Sequence, residues 1–199
     1  MTKRKYEQRK RAEAAAETRR RIAAAAARLH ETVGPVATTI SAVAEAAGVQ
    51  RPTVYRHFPD EESLMRACQA HYLDEHPPPQ PTWLDIEDPE IRLATALSQL
   101  FAYYSETAAM NVNLMRDAPE MPVLQSILTP WYSFNELLVE DLATQWNAPD
   151  RRLRLVRAAI AHAIDLRTWQ TLTDQAGLSI EEAVGLLVPM VRFAAREGS

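Results

Sequence analysis

TTISAVAEAAGVQRPTVYRHFPDEESL, residues 38–64, decides the fold. Thr39 is a good helix N-cap, because its hydroxyl can take a hydrogen bond from an unpaired backbone N–H of the first turn. Ile40, Val43, Ala44 and Ala47 then fall on one apolar stripe at helical spacing. Gly48 can adopt the left-handed conformation that closes such a helix. Arg51-Pro52 opens a second helix, with proline in the first turn, where its missing N–H costs little. Val49, Val54 and Phe58 point back to the same small core, and Pro59 ends the unit. The reading is two short helices joined by a tight glycine turn.

Such a helix-turn-helix has a physical use. The second helix fits the DNA major groove, while the first crosses the backbone. The residue chemistry suits this. Arg51 can bond guanine O6 and N7 together, worth about 1–3 kcal/mol of discrimination. Thr53 can reach a base or a phosphate, and Tyr55 and His57 can reach the backbone beside the groove. Thr39 sits at a helix N-terminus, which favours a phosphate. Charge points the same way. The net charge of −4 hides a basic head, with 12 Lys and Arg against 5 Asp and Glu in residues 1–58, and an acidic remainder, with 10 against 21. A basic head on an acidic body suits a polyanion at one end only. Lys3, Arg4, Lys5, Arg9, Lys10 and Arg11 can follow the minor groove or adjacent phosphates.

Working outward, helical periodicity continues almost everywhere, and only 5 of 199 residues are glycine. The fold class is all-α, with about nine helices. A first helix is expected from about Lys5 to Val33, ended by Gly34-Pro35. Another runs from Glu61 or Glu62 to His76. Pro77 to Pro81 is an extended connector. Then follow Asp88-capped Pro89 to about Thr107, a short helix from Met110 to Arg116, and Pro122 to Trp146 with a bend or break at Pro130. Asp150 to about Thr173 reads as one long helix, and Ile180 to Arg196 as the last. Ser179 and Glu182 have capping-box spacing. The boundaries are residues 1–60 for the basic arm and three-helix DNA-binding domain, and 61–199 for a helical bundle that binds ligand and dimerises.

The run Thr38-Thr39-Ile40, Val43-Ala44, Ala47-Gly48-Val49 and Thr53-Val54-Tyr55-Arg56-His57-Phe58 closely resembles the signature of the tetracycline-repressor (TetR) family. Arg167-Thr168-Trp169 and Gly177 to Ala183 resemble the C-terminal end of many such proteins. The resemblance implies a homodimeric repressor on a near-palindromic double-stranded DNA operator. It also implies a C-terminal domain whose small-molecule effector weakens DNA binding. By position, Thr39, Arg51, Thr53, Tyr55 and His57 match the family's DNA contacts. Gln50 joins the candidate DNA-binding residues, although it stands where a serine cap is common. Glu61 stands where many members carry a phosphate-binding lysine.

The C-terminal candidates follow from apolar content. Pockets are mostly apolar with few polar groups, so Phe101, Tyr104, Met115, Trp131 and Phe134, with His162 as polar partner, are the candidate ligand residues for a largely apolar effector. The last two helices carry Leu155, Ile160, Trp169, Val184, Leu187, Val188 and Val191, too much apolar surface to leave exposed. These are the candidate dimer residues, packing against a twin subunit as a four-helix interface. Other classes find little support. Cys68 with His71 and His76 lacks a fourth ligand at metal spacing, so no metal or cofactor is expected. His162 with Asp165 has no accompanying nucleophile, so no enzyme is expected. One cysteine, no secretory pattern and no run of about 20 apolar residues place the protein in the cytoplasm rather than in a membrane.

Overall fold

In the computed structural model, which describes residues 3–196, every regular element is helical. The helices are α1 (Lys3–Thr32), α2 (Ile40–Ala46), α3 (Arg51–His57), α4 (Glu61–Glu75), α5 (Pro89–Asp117), α6 (Pro122–Thr144), α7 (Asp150–Ala163), α8 (Leu166–Trp169) and α9 (Ile180–Ala195). By contacts the chain forms two compact units. The first is Met1–Pro77 with Ala108–Leu128; the second is Pro78–Thr107 with Thr129–Ser199.

The first unit is built on α1. Ile22, Ala25 and Ala26 of α1 are fully buried and meet Val43 of α2, Val54 of α3 and Leu64 and Cys68 of α4. Alanines on α1 let the short helices approach closely. Thr39 caps α2 by accepting from the Ala42 N–H at 3.1 Å, and Gly48 takes φ +64° at the turn. Asp60 caps α4, accepting from the Ser63 N–H at 2.7 Å. The C-terminal part of α5 pins the α1–α2 turn. The Asn113 amide donates to the His30 and Glu31 carbonyls at 3.0 and 2.7 Å. Arg116 donates to the Val33 carbonyl at 3.0 Å, and Asp117 accepts from the Val36 N–H at 3.0 Å. Gly34, at φ +92°, leaves room for this latch, since a Cβ there would collide with both Arg116 and Asp117.

The second unit has its core between α5, α6, α7 and α9, with Leu93, Leu97, Leu100, Leu142, Ile160 and Val191 all essentially out of solvent. Buried Arg92 donates to the Leu84 carbonyl and Asp141, both at 2.6 Å, which ties the segment after the proline connector to α6. Ser179 and Glu182 form the expected capping box at the start of α9.

Two expectations are corrected. Thr107 to Met110 is no break: α5 runs unbroken, with the buried Thr107 hydroxyl donating back to the Tyr103 carbonyl at 2.7 Å and alanines following. Conversely, Asp150 to Thr173 is not one helix. It ends at Ala163, and Asp165 caps a new short helix through the Arg167 N–H at 2.7 Å. The Ile164 carbonyl accepts from the Tyr104 hydroxyl at 2.8 Å, and the His162 carbonyl accepts from Thr168 at 2.6 Å. Gln170–Gln175 then winds as a π-helix. Pro130 sits inside α6, which continues through it to Thr144.

Candidate nucleic-acid interface

The recognition segment has one locked side and one open side. Val54 and Phe58 are buried against α1, α2 and α4. Arg51, Tyr55 and Arg56 are exposed, Tyr55 with 49% of its surface, and Thr53 and His57 are half-buried beside them. Gln50 is exposed and makes no side-chain cap, as its residue type implies. Thr39 is exposed too. Its oxygen accepts from Ala42, which leaves its O–H available as a donor. Burial is the first cause that pushes the His57 imidazole below its ordinary range, with the charges of Arg56 and Arg19 adding to it. His57 is therefore a neutral hydrogen-bonding group at pH 7.

The basic arm is helical. Arg4, Lys5, Arg9, Lys10 and Arg11 lie exposed on the first turns of α1. A helix of about 10 Å diameter does not enter a minor groove about 6 Å wide, so in this form these side chains suit phosphates rather than minor-groove edges. The side chain of Lys3 lies outside the described residues.

Two residues that sequence reasoning missed hold α3 in place. Arg19 of α1 donates to the His57 carbonyl at the end of α3, and its guanidinium lies 4.0 Å from the centre of the Phe58 ring. Arg21 donates to the Ala47 carbonyl, with the Gly48 carbonyl at 3.4 Å, at the α2–α3 turn. A Cβ on Gly48 would sit 3.1 Å from the Arg21 guanidinium, so the glycine serves the approach as well as the turn. Arg20, between them, pairs with Glu17 at 2.8 Å. In sequence the three arginines read alike; only their position around α1 separates clamp from surface.

Residues 22–68, which contain all of α2 and α3, match the family described as bacterial regulatory proteins, tetR family. The chain carries a tetR-family DNA-binding head. The match lies on the helix-turn-helix and its flanks, and makes this segment similar to the DNA-binding part of that family. Solved structures share the fold over nearly the whole chain. A transcriptional regulator from Rhodococcus sp. Rha1 is 20% identical with TM-score 0.62, covering 89% of this chain and 97% of that one. A TetR transcription regulator from Haloarcula marismortui is 16% identical with TM-score 0.54, covering 90% and 97%. A tetR-family transcriptional regulator from Streptomyces coelicolor is 23% identical with TM-score 0.57, covering 89% and 78%. No curated protein matches the chain.

Beyond the tetR-family head, the second unit gathers four of the candidate ligand residues. Phe101 and Tyr104 are buried, and Trp131 stacks on Phe134 with ring centres 5.7 Å apart. Tyr104 meets Phe101 at 6.3 Å and Trp131 at 6.5 Å. Tyr103 and Trp169, not among the candidates, complete this aromatic group at 6.3 Å from Trp131 and Tyr104 respectively. Met115 lies in the first unit, half-buried. His162 is exposed, with Nδ1 3.3 Å from the Thr168 hydroxyl, and lines a surface groove with Leu172, Leu187 and Met190.

Of the candidate dimer residues, only Leu155 is exposed. Ile160, Trp169, Val184, Leu187, Val188 and Val191 are buried in their own unit, because α7 and α9 pack on each other and on α5 and α6 before any partner is needed. The large apolar groups left open on these helices are Leu155, Leu186, Met190 and Phe193, the last with 80% of its surface in solvent. No three acidic, His or Cys groups gather as a metal site, and no helix is long and apolar enough to cross a membrane, among the described residues.

Proposed function

We propose that this regulator is a cytoplasmic homodimeric repressor that binds a palindromic operator and is released by a small, largely apolar effector. The DNA contacts are Arg51, Thr53, Tyr55 and His57 from α3, with Gln50 at its entry and Thr39 at the start of α2. Lys3, Arg4 and Lys5 supply phosphate contacts. The single observation that carries this is the open side of α3: polar, basic and aromatic groups stand outward while Val54 and Phe58 anchor the helix from behind. The functional division places DNA binding in residues 1–60 and ligand binding with dimerisation in 61–199.

A twin subunit is supported by Leu186, Met190 and Phe193. They stand at i, i+4 and i+7 on α9, forming one exposed apolar strip. An uncovered strip ending in a phenylalanine marks an interaction surface. Two recognition helices related by a two-fold axis then read half-sites about 34–36 Å apart. An apolar effector is supported by the aromatic group of Phe101, Tyr104, Trp131 and Phe134. Effector binding shifts the population toward a spacing that no longer fits successive grooves.

Selection from random duplexes followed by fluorescence anisotropy tests the proposal. A palindromic sequence should emerge, bound at least about 10³-fold more tightly than random DNA. Arg51→Ala should weaken it by about 1–3 kcal/mol and relax preference at one base pair in each half-site. Binding with no sequence preference at any salt concentration rejects the operator reading.

A further inference from the structure

Where the end of α3 leads into α4, the first unit contains a recess of about 250 Å³. Its apolar lining includes Ile40 of α2, Phe58, Leu64 of α4 and Met121. Tyr55 forms part of one wall, and Asp60 and Glu61 stand at the start of α4 with exposed carboxylates. His30 also lines the space. It is buried and kept neutral, its ring pushed down to about 4 by loss of solvent, and its Nδ1 lies 3.2 Å from the Cys68 sulfur. The Cys68 thiol behind it is pushed up to about 12 by the same burial, so neither of these two groups is charged at pH 7. Among the described residues that line the recess, none is Lys or Arg.

An uncharged apolar interior with two carboxylates and no cation is a one-signed site. We propose that this recess binds a small apolar cation, an aromatic or aliphatic amine whose body fills the space and whose charge meets Asp60 and Glu61. The size is sufficient, since a dry apolar cavity of about 150 Å³ already holds benzene. This accounts for Glu61, which is unfavourable next to DNA; its neighbour Glu62 is instead engaged by Arg66 at 2.7 Å. An occupant presses on Tyr55 and Phe58, so it alters operator affinity from within the head. That second consequence rests on the proposal that α3 faces DNA; binding in the recess does not.

Calorimetric titration of the full chain with 2-phenylethylamine, and with 3-phenylpropionate as the anion of similar size, tests the site without DNA. Saturable binding of the amine and none of the anion is expected. Glu61→Gln, an exposed change that leaves the fold intact, should weaken the amine about two- to fivefold. Met121→Trp, which fills the recess from its edge, should abolish it. Absence of saturable amine binding, equal binding of the anion, or amine binding unchanged in both variants overturns the site. With a selected operator, saturating amine should shift the anisotropy midpoint of wild type and leave that of Met121→Trp unmoved. An unmoved wild-type midpoint overturns the regulatory role.

Discussion

Arg19→Ala separates two ways an arginine can serve a DNA-binding head. Here Arg19 spends its donors on the His57 carbonyl and lies over the Phe58 ring. A charge-assisted hydrogen bond contributes about 1.5–3 kcal/mol in favourable settings, and an exposed cation–π contact about 0.5–1 kcal/mol. Because Arg19 is exposed, screening keeps the bond toward the low end. The variant should therefore lose about 1–2 kcal/mol, read as a lower urea midpoint for the head. The same loosening at the exit of α3 should lower affinity for a selected operator about tenfold, the equivalent of about 1.4 kcal/mol. Affinity for random DNA should change little. The salt dependence decides between positioning and contact. Each phosphate neutralised contributes about 0.9 to the slope of log affinity against log salt. Arg19→Ala should leave that slope unchanged, whereas Lys5→Ala should reduce it by about 0.9. Anisotropy titrations between about 50 and 200 mM salt resolve the difference. A slope reduced as much as in Lys5→Ala, with operator preference intact, would show Arg19 to be a phosphate ligand and refute the clamp.

Three further outcomes follow from the same contacts. His30 is depressed from 6.5 to about 4 by burial, so the unfolded chain takes up its proton first as pH falls. Stability from this group is complete above pH 6.5, falls by about 2 kcal/mol at pH 5 and levels below pH 4; urea titrations across that range should show the loss, and His30→Asn should flatten it. Asp117 is held below the usual carboxylate range chiefly by Arg116, with the Val36 N–H helping. Asp117→Ala removes the acceptor of the α1–α2 turn and should cost about 1–3 kcal/mol in chemical denaturation; wild-type stability would show the latch to be idle. Phe193→Arg places a charge in the exposed α9 strip and should convert the proposed dimer to monomer in sedimentation; a variant as dimeric as the wild type would move the interface elsewhere.

The head was legible because each of its decisions is local. Thr39, Gly48 and Pro52 mark ends within a few residues, and a helix of one or two turns has only one way to bury Val54 and Phe58 while leaving Arg51 and Tyr55 outside. The second unit was less legible because its decisions are made at a distance. The break after Ala163 is stabilised by a hydroxyl 60 positions away, on Tyr104, and no local residue in Ala158 to Leu166 is a glycine or proline. Periodicity also cannot say whom an apolar face meets. Val191 and Phe193 are neighbours on α9, one fully buried in its own unit and the other 80% exposed. Both carry the same hydrophobic mark in the sequence; only the angle of α9 against α7 separates core from candidate interface. The same holds for Arg19, Arg20 and Arg21, where 100° steps around one helix turn three identical residues into two clamps and one surface ion pair. Residue type sets what a side chain can do, and the neighbouring helix selects which of those things it does. Function is therefore read most directly where a short segment provides its own neighbour, as α2 does for α3.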